Sequence, residues 1–180
     1  MYTNAVSRLQ GGDSPLGRGG AAGDGVVPPQ GFDLGVSIDM GTIRAICVSK
    51  EKGTPKTAVL EAELAADYGI NGDAHAGSTH RQVSLLSYEK INQFAAVEDG
   101  VFGENLVVSG IDLSALPVGT VLRCGAVLLE LTQIGKECHD RCQIYHRMGD
   151  CIMPREGVFA RVLQGGTIKT GDEIIVTEKT

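Results

Sequence analysis

The chain has 180 residues, of which 42% are hydrophobic and 4% aromatic, with no Trp and a formal charge of −6. That length suits one domain whose core is built mostly from Val, Ile, Leu and Ala, and the acidic balance argues against a nucleic-acid partner, which calls for a basic face. No apolar run approaches the ~18 residues needed to cross a bilayer, and five cysteines without an apolar signal segment point to a reducing, cytoplasmic setting rather than a disulfide framework.

Residues 1–39 hold nine of the 25 glycines, with Pro15, Pro28 and Pro29, and show no apolar periodicity. Such a stretch cannot offset its ordering entropy by burial, so it is expected to be a disordered tail or linker. The foldable unit is expected to span residues 40–180. It opens with a strand at 43–49, ended by Lys52-Gly53-Thr54-Pro55, and a second at 57–65 whose alternation suits a half-buried strand. A glycine-rich loop follows at 69–77, then a short strand at 83–86. Ser87 stands where it can cap a helix over 88–96.

The turn DGVFGEN at 99–105 leads into a strand at 106–109. Pro117-Val118-Gly119 introduces a hairpin of 120–123 and 126–133, joined by a tight connection at Cys124-Gly125. Residues 138–148 can form a helix closed by Gly149. A strand at 158–163, a Gly165-Gly166 turn and a strand at 173–177 complete the chain. Short strands at intervals of roughly 8–12 residues, split by Gly and Pro turns, predict a mainly β fold: a small β-barrel with a few short helices.

The chemistry concentrates in LTQIGKECHDRCQIYHRMGDCIMPREGVFARVL, residues 131–163. It holds Cys138, Cys142 and Cys151, with His139, His146, Arg141, Arg147 and Arg155 close by. A thiol among cations is the setting that favours a thiolate, which makes Cys138 the candidate catalytic residue. Cys138, Cys142 and His146 would share one face of a helix and, with Cys151 or His139, could hold zinc. Burial of Cys142 and Cys151 as small apolar groups competes with that reading. In the 69–77 loop Gly72, Asp73 and His75, followed by His80 and Arg81, gather groups able to hold a phosphate or carboxylate, or else form a solvated turn. Gly103, Glu104 and Asn105 place two polar side chains beside a strand, as ligand contacts or as a structural turn.

The ordered series GDAHAG…HRQVSLLS, GVFGENLVVSGIDLSALPVGTVLRCG, LLELTQIGKEC and GDCIMPREGVFARVL…GDEI resembles a MOSC domain, related to the C-terminal portion of molybdenum-cofactor sulfurases. The resemblance covers residues 40–176 and is nearest to short stand-alone bacterial members that accompany molybdopterin biosynthesis genes. It implies a β-barrel with a pocket around one cysteine, here Cys138. That cysteine would carry sulfur as a persulfide or bind the molybdenum of a pterin cofactor. Gly72, Asp73, Gly103, Glu104 and Asn105 match the turns that shape the pocket. A pterin phosphate would find donors in His75, His80, Arg81 and Arg155.

Binding molybdenum cofactor, or carrying sulfur to it, is the function this resemblance implies. Partners would be cofactor-biosynthesis proteins or molybdoenzymes, with no nucleic acid and no membrane. A molybdenum-dependent reductase of N-hydroxylated compounds, fed by separate electron-transfer partners, is the alternative enzyme. A zinc-stabilised, non-catalytic binding module is the alternative of a different class. No aminotransferase-like portion with a pyridoxal-phosphate lysine is expected, nor an electron-transfer domain. Cys142 and Cys151 go beyond the single cysteine the family requires.

Overall fold

The computed structural model describes residues 39–77, 79–94, 97–137 and 142–177. Residues 1–38, where the tail is expected, and residues 138–141, which include Cys138, lie outside the described residues. The body is mainly β. Strand β1 (Met40–Val48) pairs along one edge with β6 (Leu106–Ser109). Along its other edge it pairs first with β11 (Glu173–Thr177) and then with β2 (Thr57–Val59). From β11 the sheet continues through β7 (Val121–Cys124), β8 (Val127–Ile134), β9 (Val158–Gln164) and β5 (Val83–Ser87) back to β6. The β1–β11 pairing therefore closes a seven-strand barrel. Closure removes the free edges that invite association. All these pairings are antiparallel except β5–β6.

A second sheet, β10 (Gly166–Lys169), β3 (Glu61–Ala65) and β4 (Gly69–Ile70), lies beside the barrel. Helices α1 (Tyr88–Phe94), α2 (Gln143–Met148) and α3 (Met153–Glu156) are short, and a 3-10 turn covers Leu113–Ala115.

Two apolar clusters explain why several strands lack a polar face. Leu85, Leu106, Val108, Val158 and Ala160 join one cluster, whereas Leu86, Val107 and Phe159 join a second with Ile91, Ile144 and Met153 of the helices. Each strand thus buries one side in the barrel and the other beneath helices, the pattern of a sheet covered on both faces. A bulge in β1 between Ile43 and Ala45 serves the same end. The inserted residue, Arg44, stays exposed, and Ile43 and Ile46 both reach the first cluster.

The structure departs from the sequence reading at several places, each with a local cause. The strand expected at 57–65 breaks at Leu60, whose carbonyl accepts Thr170 N–H, so β2 and β3 enter different sheets. The 69–77 loop begins with β4, and the expected 165–166 turn feeds β10, which pairs with β3. The hairpin turn is Gly125-Ala126, one residue later than expected, with Cys124 opposite Val127 and Gly125 at φ 55°. A glycine at positive φ in the first turn position suits a primed hairpin. Ser87 caps no helix: its hydroxyl donates to the Ile111 carbonyl and accepts Leu113 N–H, pinning the 3-10 turn to β5. Within the described residues the helix expected over 138–148 starts at Gln143. Gly149 closes it in the left-handed region, its N–H reaching Tyr145 O, as expected.

Candidate functional site

The end of β8 and helices α2 and α3 enclose a cleft of about 870 Å³. Gln133 and Ile134 supply one wall, and Gly135, Lys136 and Glu137 extend it. Cys142, Ile144 and Tyr145 face it from α2, Cys151 and Arg155 from the segment after α2, and Phe102 from the turn before β6. Gly135 is what lets the chain turn here. At φ 68° it donates to Gly157 O at 2.6 Å, and a Cβ would stand 2.6 Å from Pro154 O. Any side chain would separate β8 from α3.

Both residues flanking the 138–141 segment, Glu137 and Cys142, line this cleft. Cys138 itself lies outside the described residues. Among the other expected site residues, Arg155 lines the cleft, with one guanidinium nitrogen 3.3 Å from Asp150 Oδ2. His80 reaches its rim indirectly, through Nε2 at 3.0 Å from Gln133 Oε1, and its carbonyl accepts the Thr132 hydroxyl. Arg81 is exposed, with its guanidinium 5.7 Å from the centre of the Phe159 ring. Cys142, the N-cap of α2, and Cys151 both face the cleft, whereas His146 is exposed beside the Tyr145 ring. Among the described residues no three His, Cys, Asp or Glu side chains converge as a metal site.

The glycine-rich loop packs against the end of β1, apart from the cleft lining. Asp73 is buried and takes a hydrogen bond of 2.5 Å from Lys56 Nζ, one of 3.0 Å from Ser49 N–H and one of 2.9 Å from His75 N–H. Burial pushes the Asp73 carboxyl up. Hydrogen bonds from His75, Lys56 and Ser49 outweigh that effect and hold it well below the usual range. The Lys56 side chain is 1% exposed. Burial lowers its pKa, and Asp73 offsets part of the shift. His75 Nδ1 lies 3.2 Å from Lys56 Nζ. This cluster ties the loop to the end of β1, and neither Gly72, Asp73 nor His75 lines the cleft.

Glu104 and Asn105 are fully buried. Asn105 Oδ1 accepts Ser84 N–H, and its Nδ2 donates to Cys47 O. Glu104 accepts the N–H groups of Gly100 and Phe102. Their contacts are therefore internal, and only Glu104 touches the cleft lining, through the Phe102 amide. Sequence reasoning missed Lys56, Gln133, Tyr145 and Phe102. Lys136, next but one to Cys138, is a cation whose place beside that thiol is readable from the sequence.

Burial, with repulsion from Glu104 and Asp99, pushes the Cys47 thiol up to about 12. Burial and Asp172 push Cys124 up to about 11. Neither forms a useful thiolate at neutral pH. Limiting iodoacetamide at pH 7 should leave both unlabelled in peptide mass maps of the folded protein. Labelling of either before Cys142 would contradict the buried placement.

A family model described as MOSC domain matches residues 72–175. Comparison with curated proteins gave no match. Among solved structures, the YUAD protein from Bacillus subtilis is similar at 19% identity and TM-score 0.69, over 80% of this chain and 99% of that one. YiiM from Escherichia coli is similar at 18% identity and TM-score 0.57, over 77% of this chain and 71% of that one. YiiM from Geobacillus stearothermophilus is similar at 21% identity and TM-score 0.58, over 77% and 75%. At these identities the likeness is one of fold.

Proposed function

The chain belongs to the MOSC domain family, which is associated with molybdenum cofactor binding, and from that premise we propose that the cleft beside residues 138–141 receives this cofactor. The observation that carries the reading is the lining of the cleft: the chain enters and leaves the Cys138 segment along its wall. Its volume of about 870 Å³ lies in the range of small-molecule sites. The donor set fits an anionic, thiophilic group. Lys136 makes no hydrogen bond or ion pair among the described residues, and the Arg155 guanidinium keeps donors beyond the one facing Asp150. Both could hold a phosphate. Gln133, whose amide already bonds His80 Nε2 and the Gly135 carbonyl, keeps one N–H and one lone pair for a pterin edge, and thiolates are suitable ligands for a soft metal. When bound, the group would supply a redox-active molybdenum centre. The side chains of this protein would bind it, orient it and limit water.

Sulfur carriage is the second reading, favoured by Cys142 and Cys151, which line the same cleft. The Cys138 thiolate would attack the outer sulfur of a donor persulfide. The donor's S–S bond would break, its thiolate would leave, and Cys138 would hold the sulfur as a persulfide.

The test is anaerobic purification from a cofactor-producing host, followed by metal analysis and pterin fluorescence. Molybdenum and pterin in comparable amounts are expected. Cys138→Ser should lose the metal while keeping its circular dichroism. Lys136→Ala and Arg155→Ala should each weaken retention about tenfold, the scale of one charge-assisted hydrogen bond. Stoichiometric zinc without pterin would replace the proposal with the zinc-stabilised module. An empty protein whose Cys138 takes up persulfide sulfur would favour sulfur carriage. Turnover of N-hydroxylated compounds with added reducing partners would identify the reductase.

A further inference from the structure

The turn that carries Phe102 into the cleft is held by one unusual side chain. Glu104 is 0% exposed, and its carboxylate accepts Gly100 N–H at 2.7 Å and Phe102 N–H at 3.0 Å. The turn packs directly on α2, since a Cβ at Gly103 would lie 3.1 Å from Ile144 Cδ1. Phe102 and Ile144 both line the cleft, and the Phe102 ring meets Phe94 edge-on at 5.4 Å. Among the described residues Glu104 forms no ion pair. The charged and titratable groups around it are Asp99 on the same turn, Cys47 on β1, and Lys56 before β2, whose ammonium is held by Asp73.

We propose that Glu104 is a positioning residue for the cleft, setting the Phe102 wall through the two turn amides, and that its charge governs how firmly the wall is held. Gly100 N–H meets one carboxyl oxygen and Phe102 N–H the other, and a carboxyl keeps acceptor capacity on both oxygens whether neutral or ionised, whereas an amide of the same length keeps one acceptor. The same burial makes that charge expensive. Desolvation drives the carboxyl up to about 7 from its ordinary 4.5; the backbone N–H groups pull it down, and the charge of Asp99 adds to the rise.

The direction follows from linkage. With the turn closed the proton is held until neutral pH; with the turn open, water returns the carboxyl to its ordinary range. Rising pH between those values therefore favours the open turn. From pH 6 to pH 8 the opening equilibrium should increase about tenfold. The wall is tight when Glu104 is neutral and loosens as it ionises.

Amide hydrogen exchange of the ligand-free, full-length protein reads this directly. After correction for intrinsic rates, protection of the Gly100 and Phe102 amides should fall about tenfold between pH 6 and pH 8. Amides in β8 and β9 should not change. In Glu104→Gln protection should be lower but flat with pH, because the amide keeps one acceptor and cannot ionise. A flat profile in the unmodified protein, or an equal slope in Glu104→Gln, overturns the proposal. If Glu104→Gln fails to fold, Asp99→Asn carries the test: the midpoint must move to lower pH, and an unmoved midpoint overturns it. The inference rests on the cleft reading only for its functional meaning. Exchange without ligand separates its failure from a failure of cofactor binding.

Discussion

Lys56→Met should destabilise the protein by roughly 3–5 kcal/mol in chemical denaturation at pH 7.5, the cost of stranding a buried charge. The Lys56 side chain is 1% exposed and the Asp73 side chain 0%, with 2.5 Å between nitrogen and oxygen. A methionine fills the volume but leaves Asp73 with only the Ser49 and His75 N–H groups and the half-buried imidazole. Asp73→Asn should also be costly, because it strands the ammonium instead. The double variant Lys56→Met, Asp73→Asn should be more stable than Lys56→Met alone, since neither residue then buries a formal charge. Additive losses would show that the two side chains act separately and that the loop is held mainly by Ala74 N–H to Ser49 O, 2.7 Å apart.

That pair also marks a limit of what the sequence reveals. Asp73 stood out within GDAHAG, yet its partner sits in the turn-like TPK of residues 54–56, where a single lysine reads as solvated. Only the chain path, which lays the 71–77 loop over the end of β1, brings the two together. The barrel itself was legible because short β-branched runs between glycines repeat along the chain, and the strand at 106–109 falls where it was expected. β10 was not legible. Four residues between glycines have no alternation to detect, and their strand character comes from pairing with β3.

The site was legible in part for the same reason. The cleft is built largely from one continuous stretch, residues 133–155, and so Arg155, Cys142 and Cys151 were visible as neighbours in the sequence. Glu104 and Asn105 were visible as polar residues beside a strand, but residue type alone does not say which way a side chain points. Both point inward and hydrogen-bond to backbone groups of neighbouring strands and turns.

Asn105 carries the second large effect: Asn105→Ala should cost roughly 3 kcal/mol or more, because it leaves two buried backbone groups unpaired at a single point. Residue 105 sits where β6 enters between β1 and β5. Its own amide donates to Ser84 O and its carbonyl accepts Cys47 N–H. The side chain repeats that bridge, accepting Ser84 N–H at 3.1 Å and donating to Cys47 O at 3.0 Å. It thereby extends the hydrogen bonding of both neighbours by one residue beyond the Leu85–Leu106 and Ile46–Leu106 pairings. Alanine strands the Ser84 N–H and the Cys47 carbonyl in a site that is 0% exposed. Asn105→Asp discriminates further. Aspartate keeps the acceptor for Ser84 but sets an oxygen against the Cys47 carbonyl, next in sequence to the buried Glu104. At pH 7.5 it should be at least as damaging as alanine. A carboxyl buried there binds its proton more tightly folded than unfolded, so stability should recover as the pH falls. Denaturation curves at pH 5.5 and 7.5 measure both effects. An Asn105→Asp protein with unmodified stability at pH 7.5 would mean that this side chain does not splice the two strands, and would return it to the candidates for ligand contact.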